Sequence, residues 1–262
     1  MKTCLLAAAA CFAMAFGLLT PSVCAQPQGA MPGQIVCSLA EARSRLQDHR
    51  YAHDWQYILS ALGFVDDPEA CEAVNNFIER FRGKTVDASF TGPWWRVVDA
   101  LRPLGLLAQQ CDRAYEFVTQ GCRSEYWQKM FVWQNPEDGK ERAFLDSLVG
   151  GCIMAVGASG RVGHDWVDDL IKSSSKGFLY AHGHSILACD RSIWQIHKYG
   201  LEDFRQGFSV SQPERYNEYC RSTDRAGAIA REVIPPDMLE GVFRSWQKDV
   251  EVDMAPPVYI IR

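Results

Sequence analysis

The chain has 262 residues, of which 47% are hydrophobic, with 27 Lys and Arg against 32 Asp and Glu. That length can bury a sizeable core, as one domain or as a tandem array. The net charge of −5, without a basic stripe, argues against nucleic acid or an anionic membrane surface as a partner.

The first residues read as a targeting segment. Lys2 supplies a positive start, Leu5–Leu19 is an apolar run, Pro21 breaks it, and Val23-Cys24-Ala25 offers a small-residue cleavage site. The run is shorter than the about 20 apolar residues a spanning helix needs. Pro21 and Val23 stand where a lipidation signal wants Leu and a small residue, so the expectation is a soluble exported chain, periplasmic or secreted, with no transmembrane span. Cleavage after Ala25 leaves 237 residues and seven of the ten cysteines: Cys37, Cys71, Cys111, Cys122, Cys152, Cys189 and Cys220. An oxidising compartment permits disulfides, and an odd count leaves at least one thiol free or joining two chains in a disulfide-linked dimer. No C-x-x-C occurs, which argues against a zinc cluster, and most of these cysteines read as small buried side chains in helices. Cys111 and Cys122 are not expected to pair, because a continuous helix holds them about 16 Å apart, far beyond disulfide reach.

Residues 26–37 form a Pro/Gly/Gln-rich lead-in, expected to be flexible, ahead of a helical domain over 38–248 and a tail over 249–262 that can run extended. Ser38-Leu39-Ala40-Glu41 is a capping box and starts a helix reaching about Tyr51. Trp55, Ile58, Leu59 and Leu62 make the apolar stripe of a second helix, and Gly63 is placed to close it in the left-handed conformation. Asp67 caps the next helix with Pro68 at its first position, and Ala70, Val74, Phe77 and Phe81 form its inner stripe. Glu72, Asn75, Asn76 and Glu79 fall on the other side.

Pro93 opens a second such unit, with Val97 or Val98, Leu101 and Leu104 inward, Leu104-Gly105 at its end and a partner helix over Cys111–Gln120. Ser124–Trp133 is an aromatic insertion, helix or loop. Asn135-Pro136-Glu137 then caps a long helix carrying Phe144, Leu148, Cys152 and Val156, whose partner bears Trp166, Val167, Leu170 and Ile171. Ala181–Tyr199, Pro213–Cys220, Asp224–Val233 and Met238–Trp246 read as further helices. No strand alternation of useful length precedes Val258, so the class is all-α.

Leu-Gly, a short turn, Asp-Pro-x-Ala and a second helix together resemble a HEAT-like helical repeat, over roughly Trp55–Lys172. Leu62-Gly63 and Leu104-Gly105 lie 42 residues apart, and Val156-Gly157 follows 52 later, the excess falling on the aromatic insertion. A HEAT-type period is roughly 40–47 residues. The second copy departs from the pattern, with Ala108-Gln109-Gln110 where Asp-Pro would stand. The resemblance implies stacked antiparallel helical hairpins, an α-solenoid, with a binding surface on the second helices.

Chemistry-bearing clusters are sparse. His182, His184 and Cys189 could serve a metal-dependent enzyme or hydrolase only from a non-helical loop, since on a helix His182 and His184 point about 200° apart. A cysteine nucleophile would need His164, His182, His184 or His197 beside it in space. Gly157, Gly160 and Gly163 read as an inter-helix turn, and Trp94, Trp95, Trp127 and Trp133 read as end-caps of the core or as partner anchors. The expected function is therefore binding of a protein or peptide, without catalysis or cofactor, through Asn75, Asn76 and Glu79 on one helix and Arg113 and Glu116 on the next.

Overall fold

A computed structural model describes residues 35–86, 95–135, 139–209, 218–221, 223–247 and 259–262. The targeting segment, most of the lead-in, Pro93, Trp94, Pro136-Glu137, Pro213 and residues 248–258 lie outside the described residues. Among the described residues the chain is all-α apart from one two-stranded sheet.

Helix α1 (Leu39–Gln47) starts where the Ser38 side chain accepts from the Glu41 N–H at 3.2 Å, the N-cap bond of the expected box. It stops earlier than expected, because Asp48 takes over as cap of a separate 3-10 turn, His49–Tyr51. Helix α2 (Trp55–Leu62) buries all four residues of its stripe. Asp67 caps α3 (Pro68–Glu79) by accepting from the Glu69 N–H at 2.8 Å, with Pro68 in the first turn. Between the two helices Trp55 meets Phe77 edge-on at 5.2 Å, and each such buried side chain contributes about 1.5–3 kcal/mol. The Arg80 guanidinium lies over the Trp55 and Phe77 rings and donates to the Leu46 carbonyl.

Next come α4 (Arg96–Leu107), α5 (Asp112–Gly121) and α6 (Ser124–Met130). The insertion is thus helical in its first part, and its far end pairs with the connector after α3: Val86 donates to the Val132 carbonyl at 2.9 Å and Val132 to that of Lys84 at 3.0 Å. Trp127 is fully buried with its indole N–H on the Gly121 carbonyl. Trp133 and Trp95 pack against Phe144, so these tryptophans seal the core.

Helix α7 (Gly139–Ala158) buries residues all round its circumference, as a helix enclosed by neighbours must. It packs against α4 and α5 on one side and α9 (Lys176–Tyr199) on the other. Helix α8 (His164–Ser173) links them, and α10 (Leu201–Ser209), a helical stretch at 218–221, α11 (Asp224–Val233) and α12 (Pro236–Trp246) follow. Helix α9 begins five residues before the expected Ala181, because the Ser175 side chain accepts from the Phe178 N–H and caps it. Helix α11 ends at Val233, ahead of Pro235-Pro236, and Pro236 then occupies the first turn of α12.

The strongest packing runs in sequence through α2, α4, α7, α9 and α11, an order compatible with a helical repeat. The glycines explain how these helices approach, and they correct the reading of the Leu-Gly pairs. Gly63 is right-handed (φ −59°), and Gly105 and Gly157 lie inside α4 and α7 rather than at bends. Their missing side chains make room instead. A Cβ on Gly63 would meet Pro103 Cα of α4 at 3.0 Å. On Gly105 it would meet Ala155 Cα of α7 at 2.8 Å, on Gly157 Cys189 Cα of α9 at 2.8 Å, and on Gly183 the Val233 carbonyl of α11 at 2.1 Å. The recurring signature marks where one helix presses on the next.

The end of the lead-in, expected to be flexible, is instead a strand, and the last residues of the tail are extended as expected. Strand β1 (Ile35–Cys37) pairs in parallel with β2 (Tyr259–Ile261), in the register Ile35 with Tyr259. Tyr259 is anchored by donating to Asp54 at 2.8 Å and accepting from Arg45 at 3.1 Å.

Candidate functional site

The expected binding face lies on α3 and α5. Four of its five residues reach solvent: Asn76, Arg113 and Glu116 fully and Glu79 in part. Asn75 does not. It is only 2% exposed, and its amide donates to the Cys71 carbonyl at 2.8 Å, because it shares a helix face with Cys71 and Ile78, both buried. Glu79 accepts two bonds from Arg82, at 2.6 and 2.9 Å, and these, with the nearby Arg113 charge, hold its carboxyl below the usual range. A disulfide between Cys71 and Cys111 ties the first turn of α3 to the residue preceding α5. The two helices therefore present their charges from a fixed mutual position.

The loop that a metal at His182, His184 and Cys189 would need is absent, because all three sit in the unbroken helix α9. His184 faces solvent, while His182 is 2% exposed against the Phe178 ring and 3.8 Å from Asp146. Burial holds His182 below its ordinary pKa and pushes the Cys189 and Cys152 thiols well up and Cys122 up to about 12. Protonated thiols in an apolar core are poor nucleophiles. Cys37 is buried too, and Cys220 is half-buried.

A different cluster stands out once the chain is folded. Asp190, 0% exposed, points from α9 into a set of donors drawn from three other elements. It accepts from Tyr219 Oη at 2.5 Å and from Arg225 Nε at 2.9 and 3.1 Å, and lies 2.7 Å from His164 Nδ1. Arg225 also donates to Asp168 at 2.8 Å and to the His164 carbonyl at 3.1 Å. Burial and the Asp190 charge push the Tyr219 hydroxyl far up, so it stays a donor. His164 is 27% exposed on its outer side, and the His197 ring crosses it at right angles with centres 5.5 Å apart. Sequence reasoning missed this cluster, although one signal was there: Asp190 is a charge on the buried α9 stripe with Ile186, Cys189 and Ile193. Fixing Nδ1 of His164 on a carboxylate leaves its Nε2 free to take a proton or a ligand. Among the described residues no group of three or more His, Cys, Asp and Glu side chains converges to hold a metal, and no helix is long and apolar enough to cross a membrane.

No family model matches the chain, and neither does a curated protein or a solved structure.

Proposed function

We propose that this chain is an exported, non-enzymatic repeat protein of the HEAT-like kind, which binds a protein or peptide across the outer face of α3 and α5. The observation that carries the reading is the covalent tie between those helices. Cys71–Cys111 fixes the spacing of Asn76 and Glu79 on one helix relative to Arg113 and Glu116 on the other. A preorganised charged face loses little freedom on binding, and its charges steer and orient a partner more than they add raw affinity.

Export is supported by the apolar amino-terminal run and by the disulfide, a bond that persists in oxidising compartments. A binding role is supported by the fate of the reactive side chains: the buried thiols are held protonated, and Asp190 is spent on joining helices. Among the described cysteines, disulfide-linked dimerisation would have to run through Cys220, because Cys37, Cys122, Cys152 and Cys189 are buried and Cys71 is bonded to Cys111.

The test uses the full chain expressed with its own amino terminus. The partner is captured from the exported fraction, identified, purified and titrated against wild type and the double reversal Arg113→Glu/Glu116→Lys. Both residues are exposed, so the fold survives the change. Affinity should fall at least tenfold and association should slow; equal affinity and equal association rate would overturn the assigned face.

A further inference from the structure

We propose that His164 and His197 together hold one divalent first-row transition-metal ion, with the Asp190 carboxylate backing the first imidazole and water completing the coordination. The two residues are 33 positions apart, at the start of α8 and in the last turn of α9, and only the fold brings their rings together.

Three observations converge. The first is spacing. With metal–nitrogen bonds of about 2.1 Å and ring centres about 1.1 Å behind each nitrogen, two imidazoles on one tetrahedral ion have centres about 5.2 Å apart. The observed separation is 5.5 Å, with the planes at 88°. The second is the state of His164. An imidazole that binds a metal typically gives its other N–H to a carboxylate, which fixes the tautomer and strengthens the ligand. His164 Nδ1 lies 2.7 Å from fully buried Asp190, which leaves Nε2 as the ligand atom. His197 is exposed, has no hydrogen-bond partner among the described residues and can turn either ring nitrogen toward that position.

The third is charge. Asp190 and Asp168 share the guanidinium of Arg225, and Asp165, exposed, follows His164 directly in the chain, so carboxylates outnumber that guanidinium here. His197 lies at the carboxyl end of α9, where the helix dipole favours a cation. The amino terminus of α8 works the other way, and Asp165 in its first turn offsets it. Two imidazoles and water suit zinc, nickel or copper rather than calcium or magnesium, which take oxygen ligands. An ion here would clasp the start of α8 to the end of α9 and keep open positions toward solvent.

The experiment titrates zinc chloride into the untagged full chain by calorimetry, with NMR of the imidazole resonances as a second readout. One zinc per chain should bind, with the His164 and His197 signals shifting first. His197→Ala, at an exposed position, should weaken binding at least tenfold, while His53→Ala and Cys220→Ser should leave it unchanged. Asp190→Asn should weaken it by about 10–100-fold where circular dichroism shows the fold intact; if that variant unfolds, His197→Ala decides alone. Absence of one-to-one binding by the wild-type chain, or zinc binding by His197→Ala equal to wild type, would overturn the proposal.

Discussion

Around α2 and α3 the buried rings of Trp55 and Phe77, with Ile58, Leu59 and Val74, hold a hairpin by many small apolar contacts. Around α9 a single carboxylate, Asp190, joins α8, the 218–221 stretch and α11 through His164, Tyr219 and Arg225. The first region loses stability by degrees when trimmed. The second behaves as a unit, because removing its centre leaves the buried Tyr219 hydroxyl without its acceptor and takes from Arg225 and His164 the carboxylate they share. Apolar seams tolerate variation that a polar junction does not.

The largest effect separating the two should come from Asp190→Ala, which strands Tyr219 and leaves Arg225 only Asp168 and the His164 carbonyl; a cost of about 3–5 kcal/mol is expected in urea unfolding. A loss under about 1 kcal/mol would erase the distinction. Next is the covalent tie in the amino-terminal half. Cys71→Ser should cost about 2–4 kcal/mol by freeing a long loop of the unfolded chain, and should leave the melting of the α9 region, followed by hydrogen exchange, nearly unchanged.

Gly105→Ala follows, at about 1–3 kcal/mol, because the new methyl meets backbone atoms of Ala155 at 2.8 and 2.9 Å. Gly241→Ala is the control, since nothing lies within 4 Å of its would-be Cβ.

The smallest is a pH effect at His182. Burial holds its folded pKa below the ordinary 6.5, so the unfolded chain binds a proton that the folded chain excludes. The associated stability is complete above about pH 6.5 and is lost as pH falls through that value toward the lower folded pKa. Melting temperatures at about pH 7.5 and pH 5.5 should therefore drop further in wild type than in His182→Gln. Equal drops would show that His182 does not contribute.

The two regions also differ in how well the sequence displays them. Asp67-Pro68 and the stripes of α2 and α3 act within a turn or two, so their spacing alone locates the hairpin and its cap. The partners of Asp190 lie 26, 29 and 35 residues away, and nothing local announces that they meet. The glycines fall between these cases. Their period is visible, but local rules suggest an exit from the helix, whereas the cause is the approach of another helix, which only tertiary structure supplies. Asn75 misleads for a similar reason, since a polar residue beside an apolar stripe reads as outward. The early start of α9 rests on Ser175, whose capping bond to the Phe178 N–H no apolar period announces. The β1–β2 pair escaped notice because two three-residue strands over 200 positions apart carry no pattern of their own.

That strand pair has a mechanical consequence. Because β1 and β2 run parallel, tension entering ahead of Ile35 and leaving after Ile261 pulls the two strands along their length in opposite directions. The bonds between them are then loaded together in shear instead of being unzipped one at a time. A stretched chain meets this latch before any helix is drawn out, so the rods behind it are shielded from a pull on the chain's two ends until the latch gives way.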